Sequence, residues 1–264
     1  MVQHILVAHD LSPEADLALQ RGVQLALQNG ARLTLLHVPT TAAADDTAIR
    51  ARLQARLQAL GLPQGKVLLR RGRPVVEILL QARGLAIDLL VLGAHHRQSP
   101  QGFAGTTLER ILQSSPAPVL LAVNAEPAPW TRALVALDYS PCASRALRQA
   151  WALLGDGATL HALHIHEVAE VHASEDPVAV AFERELFDRL VSDEGSALPA
   201  RPAQLSHELR HGERESCLQA VLAERQPQLL ALGAHSRGML ADVLLGSLAL
   251  ELLRQPPCDV LVVR

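Results

Sequence analysis

The chain has 264 residues, of which 49% are hydrophobic, 19% charged and 2% aromatic, with a formal net charge of -3. This composition excludes a disordered chain, and the length suffices for two domains with separate cores. Scarce aromatic residues and the absence of a basic stripe argue against nucleic acid as a partner. No apolar run approaches the ~20 residues of a membrane helix.

The first half predicts alternating strands and helices. A short apolar run at 5–8 indicates a buried strand, and Ser12 followed by Pro13 is typical of a helix start. Leu17, Val23, Leu25 and Leu27 give that helix an apolar face. Further strands are predicted at 33–38, 67–70, 88–92 and 119–123, and further helices at 47–60, 74–83 and 106–113, with a loop at 93–105.

The second half repeats the same signals in the same order. Residues 4–13 correspond to 132–141, and the Leu-Gly-Ala-His run at 92–95 returns at 232–235. Strands are predicted near 133–137, 158–165, 205–210, 229–232 and 259–263. The chain is therefore predicted to be a tandem duplication, with domains at 1–124 and 131–264.

Strands that alternate with helices predict parallel sheets covered on both faces. The expected fold class is α/β, with two doubly wound five-stranded parallel sheets. The short, proline-bearing linker at 124–130 and the apolar fifth strands predict that the halves pack through 119–123 and 260–263. The result would be an internal pseudo-dimer, and a further homodimer stays open.

Ligands of open parallel sheets bind at the carboxyl ends of the strands, where the strand order reverses. If the first strand lies beside the fourth, this edge displays Asp10 and Gly93 in one half, and Asp138 and Gly233 in the other. An aspartate in this position can accept hydrogen bonds from ribose hydroxyls.

Each half also contains a glycine and a hydroxyl residue at a predicted helix start. These pairs are Gly105 with Thr106, and Gly246 with Ser247. Free backbone N–H groups and the helix dipole attract anions there. Together with the aspartates, these positions describe a nucleotide site formed mostly by backbone.

These residues resemble the universal stress protein family, whose ATP-binding members carry Gly, two residues, Gly, nine residues, then Gly-Ser or Gly-Thr. The second half keeps this spacing with Ser236 at the second glycine, whereas the first half is one residue short and has His96 there. The resemblance implies a Rossmann-like, adenine-nucleotide α-hydrolase-like fold. The adenosine- and phosphate-contacting positions that it implies are Asp138, Ile165, Gly233, Ser236, Gly246 and Ser247, and Asp10, Val38, Gly93, Gly105 and Thr106.

The resemblance implies a cytoplasmic stress-response protein that binds ATP or another adenine nucleotide. If only one half binds nucleotide, the intact spacing favours the second half. No metal is expected beyond an Mg²⁺ ion carried with the nucleotide. Three cysteines without a C-x-x-C spacing fit a reducing compartment, and neither a membrane nor a nucleic acid is expected as a partner.

Structural alternatives stay open for each motif. Asp10 and Asp138 are also favoured turn residues, and the two hydroxyl residues are also ordinary helix caps. His164 and His166 share one face of a strand, but with twelve histidines in the chain a dedicated metal site is not the favoured interpretation. A nucleotide-free interaction protein with degenerate sites is therefore the alternative function.

Enzyme classes lack their signatures. The chain has no G-x-x-x-x-G-K-[ST] motif, which excludes a P-loop nucleotide hydrolase. The G-x-S-x-G elbow that carries the nucleophile of α/β-hydrolases does not occur either. The Ser-Gly-Gly-x-Asp-Ser signature of adenylating α/β enzymes is also absent. We therefore expect a protein without a dedicated catalytic constellation.

Overall fold

The structure is a computed structural model that describes residues 2–39, 45–94, 107–126, 128–167, 177–234 and 247–264. The chain divides into two compact units, Met1–Pro129 and Trp130–Arg264, which are described separately. Within the described ranges, no helix combines the length and apolar character that crossing a membrane requires.

The first unit is a doubly wound parallel sheet. Its elements are β1 (His4–Ala8), α1 (Pro13–Asn29), β2 (Arg32–His37), α2 (Asp46–Ala59), β3 (Lys66–Leu69), α3 (Pro74–Gly84), β4 (Leu89–Gly93), α4 (Thr107–Ser114) and β5 (Val119–Ala122). The strand order is β3-β2-β1-β4-β5, and each neighbouring pair is parallel. The order therefore reverses between β1 and β4, as expected.

The second unit repeats this topology. Its elements are β6 (Arg132–Ala136), α5 (Pro141–Leu153), β7 (Thr159–Glu167), α6 (Pro177–Ser196), β8 (Gln204–Gly212), α7 (Arg214–Arg225), β9 (Leu229–Gly233), α8 (Ser247–Arg254) and β10 (Asp259–Val263). The strand order is β8-β7-β6-β9-β10, again parallel throughout. The α/β fold class predicted from the sequence is confirmed. Packing of the two halves through their fifth strands stays a prediction.

The central strands are continuous apolar runs because both faces of each sheet are covered. In β1, Ile5, Leu6 and Val7 are fully buried, and in β6 the same holds for Leu134 and Val135. These strands anchor the two turns that follow them at the carboxyl edge of each sheet.

The buried face of α1 differs from the sequence prediction at Leu27. This side chain is 55% exposed, whereas Val23 and Leu25 are buried. The helix ends at Gly30 in the left-handed conformation, and Leu27 lies in the last turn. The buried face of α1 also contains small residues, including Ala18 and Ala26. The helix consequently lies close to the sheet, and its first turn touches the end of β4 at Gly93.

Candidate functional site

A cavity of about 280 Å³ opens at the carboxyl edge of the first sheet. Three residues predicted from the sequence line it, namely Asp10 after β1, Val38 after β2 and Gly93 at the end of β4. Ile78 of α3 and Ile111 of α4 supply apolar walls. A mostly apolar pocket with a few polar groups at a switch point is the usual form of a small-ligand site.

The turn after β1 holds Asp10 at the cavity. One oxygen of its carboxylate, Oδ1, accepts hydrogen bonds from the Ser12 N–H at 3.0 Å and from the Ser12 hydroxyl at 2.5 Å. Ser12 in turn accepts from the Ala15 N–H and caps α1. Leu11 adopts the left-handed conformation with φ of 73°. The expected turn-forming role of Asp10 is therefore real, and it coexists with a place in the cavity wall.

The second half has the same turn. Asp138 accepts from the Ser140 N–H at 3.0 Å, and Ser140 accepts from the Ala143 N–H to cap α5. Tyr139 takes the left-handed conformation with φ of 61°. A left-handed residue other than glycine costs on the order of 1–3 kcal/mol and tends to occur at functional sites. Its presence in both halves marks this turn as a feature of the repeated unit.

A histidine supports the turn in each half. His37 at the end of β2 donates from Nδ1 to the carbonyl of His9, and His164 in β7 donates from Nδ1 to the carbonyl of Leu137, both at 2.7 Å. Sequence reasoning missed this role. The sequence did contain one indication of it. A histidine directly precedes each of the two positions assigned to the nucleotide at the second strands, namely His37 before Val38 and His164 before Ile165.

Ile165 lies within β7 and is partly exposed, next to His164. In the register of β7 with β8, it is paired with Arg210. Its first-half counterpart, Val38, lies just beyond β2. Both side chains are therefore at the carboxyl ends of second strands, as the resemblance implies.

Gly93 and Gly233 have a packing role. A Cβ on Gly93 would lie 2.3 Å from the carbonyl oxygen of Glu14, and one on Gly233 would lie 2.8 Å from the amide nitrogen of Ala143. These strand ends touch the first turns of α1 and α5, so only glycine fits. Close approach of a ligand is not required to explain either residue.

The remaining residues predicted to contact the nucleotide lie at or near the starts of α4 and α8. Gly105, Thr106, Ser236 and Gly246 lie outside the described residues. Helix α4 begins directly after Thr106, and α8 begins at Ser247. Both helices therefore begin within one residue of the predicted helix starts.

One titratable group of the cavity, His9, has a perturbed pKa. Burial lowers the pKa of His9 below its ordinary value of 6.5, and the nearby Arg56 guanidinium lowers it further. Hydrogen bonding and attraction to Asp16 oppose this shift without reversing it. His9 is therefore neutral at pH 7.

The histidines of the second half face helix α6. Glu183 contacts both His164, at 3.6 Å, and His166, and the Tyr139 ring lies edge-on against His164 with centroids 4.7 Å apart. In the part of the chain that the structure describes, no group of three or more potential ligands is arranged to hold a metal ion. The Glu183 carboxylate contacts both histidines, and the Tyr139 ring packs against His164.

Comparisons with known proteins agree with the repeat. The profile of the universal stress protein family matches residues 1–122 and, separately, 129–264. Universal stress protein Slr1230 of a Synechocystis strain is 26% identical over 210 residues, which cover 79% of this chain and 68% of that protein.

Solved structures show the same fold. A universal stress protein from Archaeoglobus fulgidus has a TM-score of 0.73 at 21% identity, covering 99% of this chain and 98% of its own. A Pseudomonas aeruginosa structure named for the same family has a TM-score of 0.70 at 20% identity, covering 99% and 93%.

Proposed function

The chain belongs to the universal stress protein family, and on that premise we propose that it binds an adenine nucleotide, such as ATP, at the carboxyl edges of its sheets. The observation that carries this proposal is the cavity shared by Asp10, Val38 and Gly93 at the switch point between β1 and β4. Its volume of about 280 Å³ is near the lower end of the ligand-site range.

Each part of the cavity matches one part of a nucleotide. The apolar walls formed by Val38, Ile78 and Ile111 suit a purine base, and the carboxylate of Asp10 suits ribose hydroxyls. The start of α4, directly after Thr106, suits phosphates, because the backbone N–H groups and the dipole at a helix start attract anions. An Mg²⁺ ion would accompany the phosphates and neutralise part of their charge.

The second half offers the same parts. Asp138 sits in an equivalent turn, Ile165 follows His164 in β7, and α8 begins at Ser247. Its glycine motif has the complete spacing, so we propose a site in this half as well. Family membership supports a stress-response role, and the three free thiols fit the reducing cytoplasm. We propose no catalytic role.

The packing observations favour one alternative, a nucleotide-free interaction protein. Gly93 and Gly233 are required by their contacts with α1 and α5, and Asp10 is required by its turn. These residues would persist without a ligand. The alternative therefore predicts a folded protein whose cavity binds no adenine nucleotide.

Calorimetric titration of the full chain with ATP, ADP and AMP separates the two functions. The variant Val38→Trp fills the first site, and Ile165→Trp fills the second. Each single variant is expected to lose one ATP-binding event, and the double variant is expected to lose both. Val76→Trp is the matched control because Val76 is 47% exposed and not part of the cavity lining.

Mass spectrometry of ligand released from freshly purified protein identifies the nucleotide. Binding that the double variant leaves intact would refute the proposed sites. A wild-type chain that neither retains nucleotide nor binds it at millimolar concentration would establish the alternative.

A further inference from the structure

The imidazole of His9 connects the turn at the first cavity to helix α1. Its Nδ1 atom accepts a hydrogen bond from the Leu11 N–H at 2.9 Å. Its Nε2 atom donates to Oδ1 of Asp16 at 3.0 Å. The ring is therefore neutral, with its single proton on Nε2, because a backbone N–H can only donate to an unprotonated nitrogen.

The surroundings of His9 come from four segments. Asp16 of α1 holds Nε2, and Arg56 of α2 donates to the other oxygen of Asp16 at 2.9 Å. His37 of β2 donates to the His9 carbonyl. Asp10, the neighbouring residue, adds a negative charge. The His9 side chain is fully buried, so water cannot replace a contact that it loses.

We propose that His9 is a positioning residue whose neutral form holds the turn at 9–12 against the first cavity, and whose protonation releases that turn. A proton on Nδ1 would face the Leu11 N–H at hydrogen-bonding distance. Both groups would then be donors, and neither could accept a hydrogen bond from the other. The Leu11 amide would have to turn away. Asp10 and Ser12, which follow in the same turn, would then lose their place at the cavity.

The second half is a natural control for this inference. Leu137 occupies the position of His9, and Ser144 that of Asp16. Tyr139 nonetheless adopts the same left-handed conformation as Leu11. The turn therefore forms without a histidine, and the second half has no group at this position whose protonation could oppose it. Sensitivity of this turn to pH should be confined to the first half.

Nuclear magnetic resonance of the ligand-free full chain tests the turn directly. We expect the His9 ring to carry its proton on Nε2 at pH 7 and to titrate below 6.5. The Leu11 amide signal should shift with the same midpoint, and the Tyr139 amide signal should not follow the His9 titration. The variant His9→Asn identifies the His9 signals. A charged or Nδ1-protonated His9 at pH 7, or a Leu11 signal that ignores the titration, would overturn the inference.

The effect on affinity rests on the proposed function and has its own readout. With Ile165→Trp present to fill the second site, ATP affinity should fall about tenfold per pH unit below the His9 pKa. In His9→Asn it should not show this fall, because the Asn oxygen can accept from the Leu11 N–H without titrating. Protonation of ATP itself affects both proteins equally.

The two failures are distinguishable. Absence of ATP binding at every pH would refute the nucleotide proposal, and the Leu11 amide would still decide the role of His9. Equal pH dependence of ATP affinity in wild type and His9→Asn would overturn the role of His9 while leaving nucleotide binding in place.

Discussion

Gly93 at the end of β4 lies directly against the backbone of Glu14 in the first turn of α1. A Cβ at position 93 would be 2.3 Å from the Glu14 carbonyl oxygen and 2.9 Å from the amide nitrogen of Ala15. Backbone atoms within a capped helix turn cannot move aside cheaply. This contact fixes the distance between α1 and the sheet, and with it one wall of the cavity.

Gly93→Ala should therefore destabilise the first half, and Gly233→Ala the second half. We expect a loss of about 1–3 kcal/mol for each, the usual cost of inserting one carbon into a packed contact. Urea unfolding followed by circular dichroism measures this as a lower transition midpoint.

Gly84→Ala provides the matched control. Gly84 is the last residue of α3, and no atom lies within 4 Å of a Cβ built there. This variant should be neutral or up to about 1 kcal/mol more stable, since alanine favours helix. An equal loss in Gly84→Ala and Gly93→Ala would contradict the role assigned to the contact.

The variant Asp10→Asn should distinguish the role of Asp10 in the turn from its role in ligand binding. The Asn oxygen can still accept from the Ser12 N–H and hydroxyl, so the free energy of unfolding should change by less than about 0.5 kcal/mol. ATP affinity at the first site should fall roughly fivefold, because a neutral acceptor makes a weaker bond to ribose hydroxyls than a carboxylate does. Asp138→Asn tests the second site in the same way. An unchanged affinity in both variants would remove these aspartates from the binding site.

The sequence predicts the fold well because the motifs that mark strands, turns and helix starts occur in both halves in the same order. The apolar runs predict the central strands. The assumed adjacency of β1 and β4, which places the repeated turn and glycine at one edge, is confirmed. Asp10, Val38 and Gly93 are accordingly found around one cavity. The sequence prediction fails at Leu27 because residues two apart lie about 200° apart around a helix, so Leu27 faces away from the buried Leu25.

The hydrogen bonds behind the site could not be read from the sequence. His9 and Asp16 are seven residues apart, and His37 reaches the His9 carbonyl across 28 residues. Such contacts depend on the register of β1 with β2 and on the distance of α1 from the sheet. The packing role of Gly93 was hidden for the same reason, since glycine in a ligand loop and glycine beneath a helix look identical in sequence.

Trp130→Phe should destabilise the second half through Asp259. The Trp130 indole N–H donates to the Asp259 carboxyl at 3.0 Å, and Asp259 is fully buried at the start of β10. Loss of a donor to a buried carboxyl costs about 1–3 kcal/mol. Trp151→Phe is the matched control, because Trp151 donates to the Pro199 carbonyl instead and should lose less. A larger loss in Trp151→Phe would argue against the Trp130–Asp259 bond as the stronger contact.

The cysteines should differ in reactivity. Burial, together with the nearby Asp259 charge, raises the pKa of the Cys258 thiol to about 12, so almost no thiolate is present at pH 8. Cys217 is partly exposed. A thiol reagent should label Cys217 in the native protein, and Cys258 only after unfolding. Cys217→Ser identifies the fast phase, and rapid native labelling of Cys258 would contradict its burial.

Acid should destabilise the protein before its carboxylates titrate. Burial is the main cause that lowers the pKa values of His4, His9 and His161 below 6.5, with Arg32, Arg56 and Arg225 respectively adding to the effect. Below pH 6.5 the unfolded chain therefore binds more protons than the folded chain. The free energy of unfolding must then decrease as the pH falls. This contribution is fully present above pH 6.5 and is lost as the pH falls from 6.5 through the lowered folded pKa values.

Urea unfolding at a series of pH values measures this slope. The window between 6.5 and about 5 belongs to the histidines, because ordinary carboxyl groups titrate lower. Replacing His9 by Asn removes one titrating group, so the slope in this window should become shallower while stability at pH 8 changes less. A wild-type protein equally stable at pH 7 and pH 5 would contradict the neutral, buried state of all three histidines.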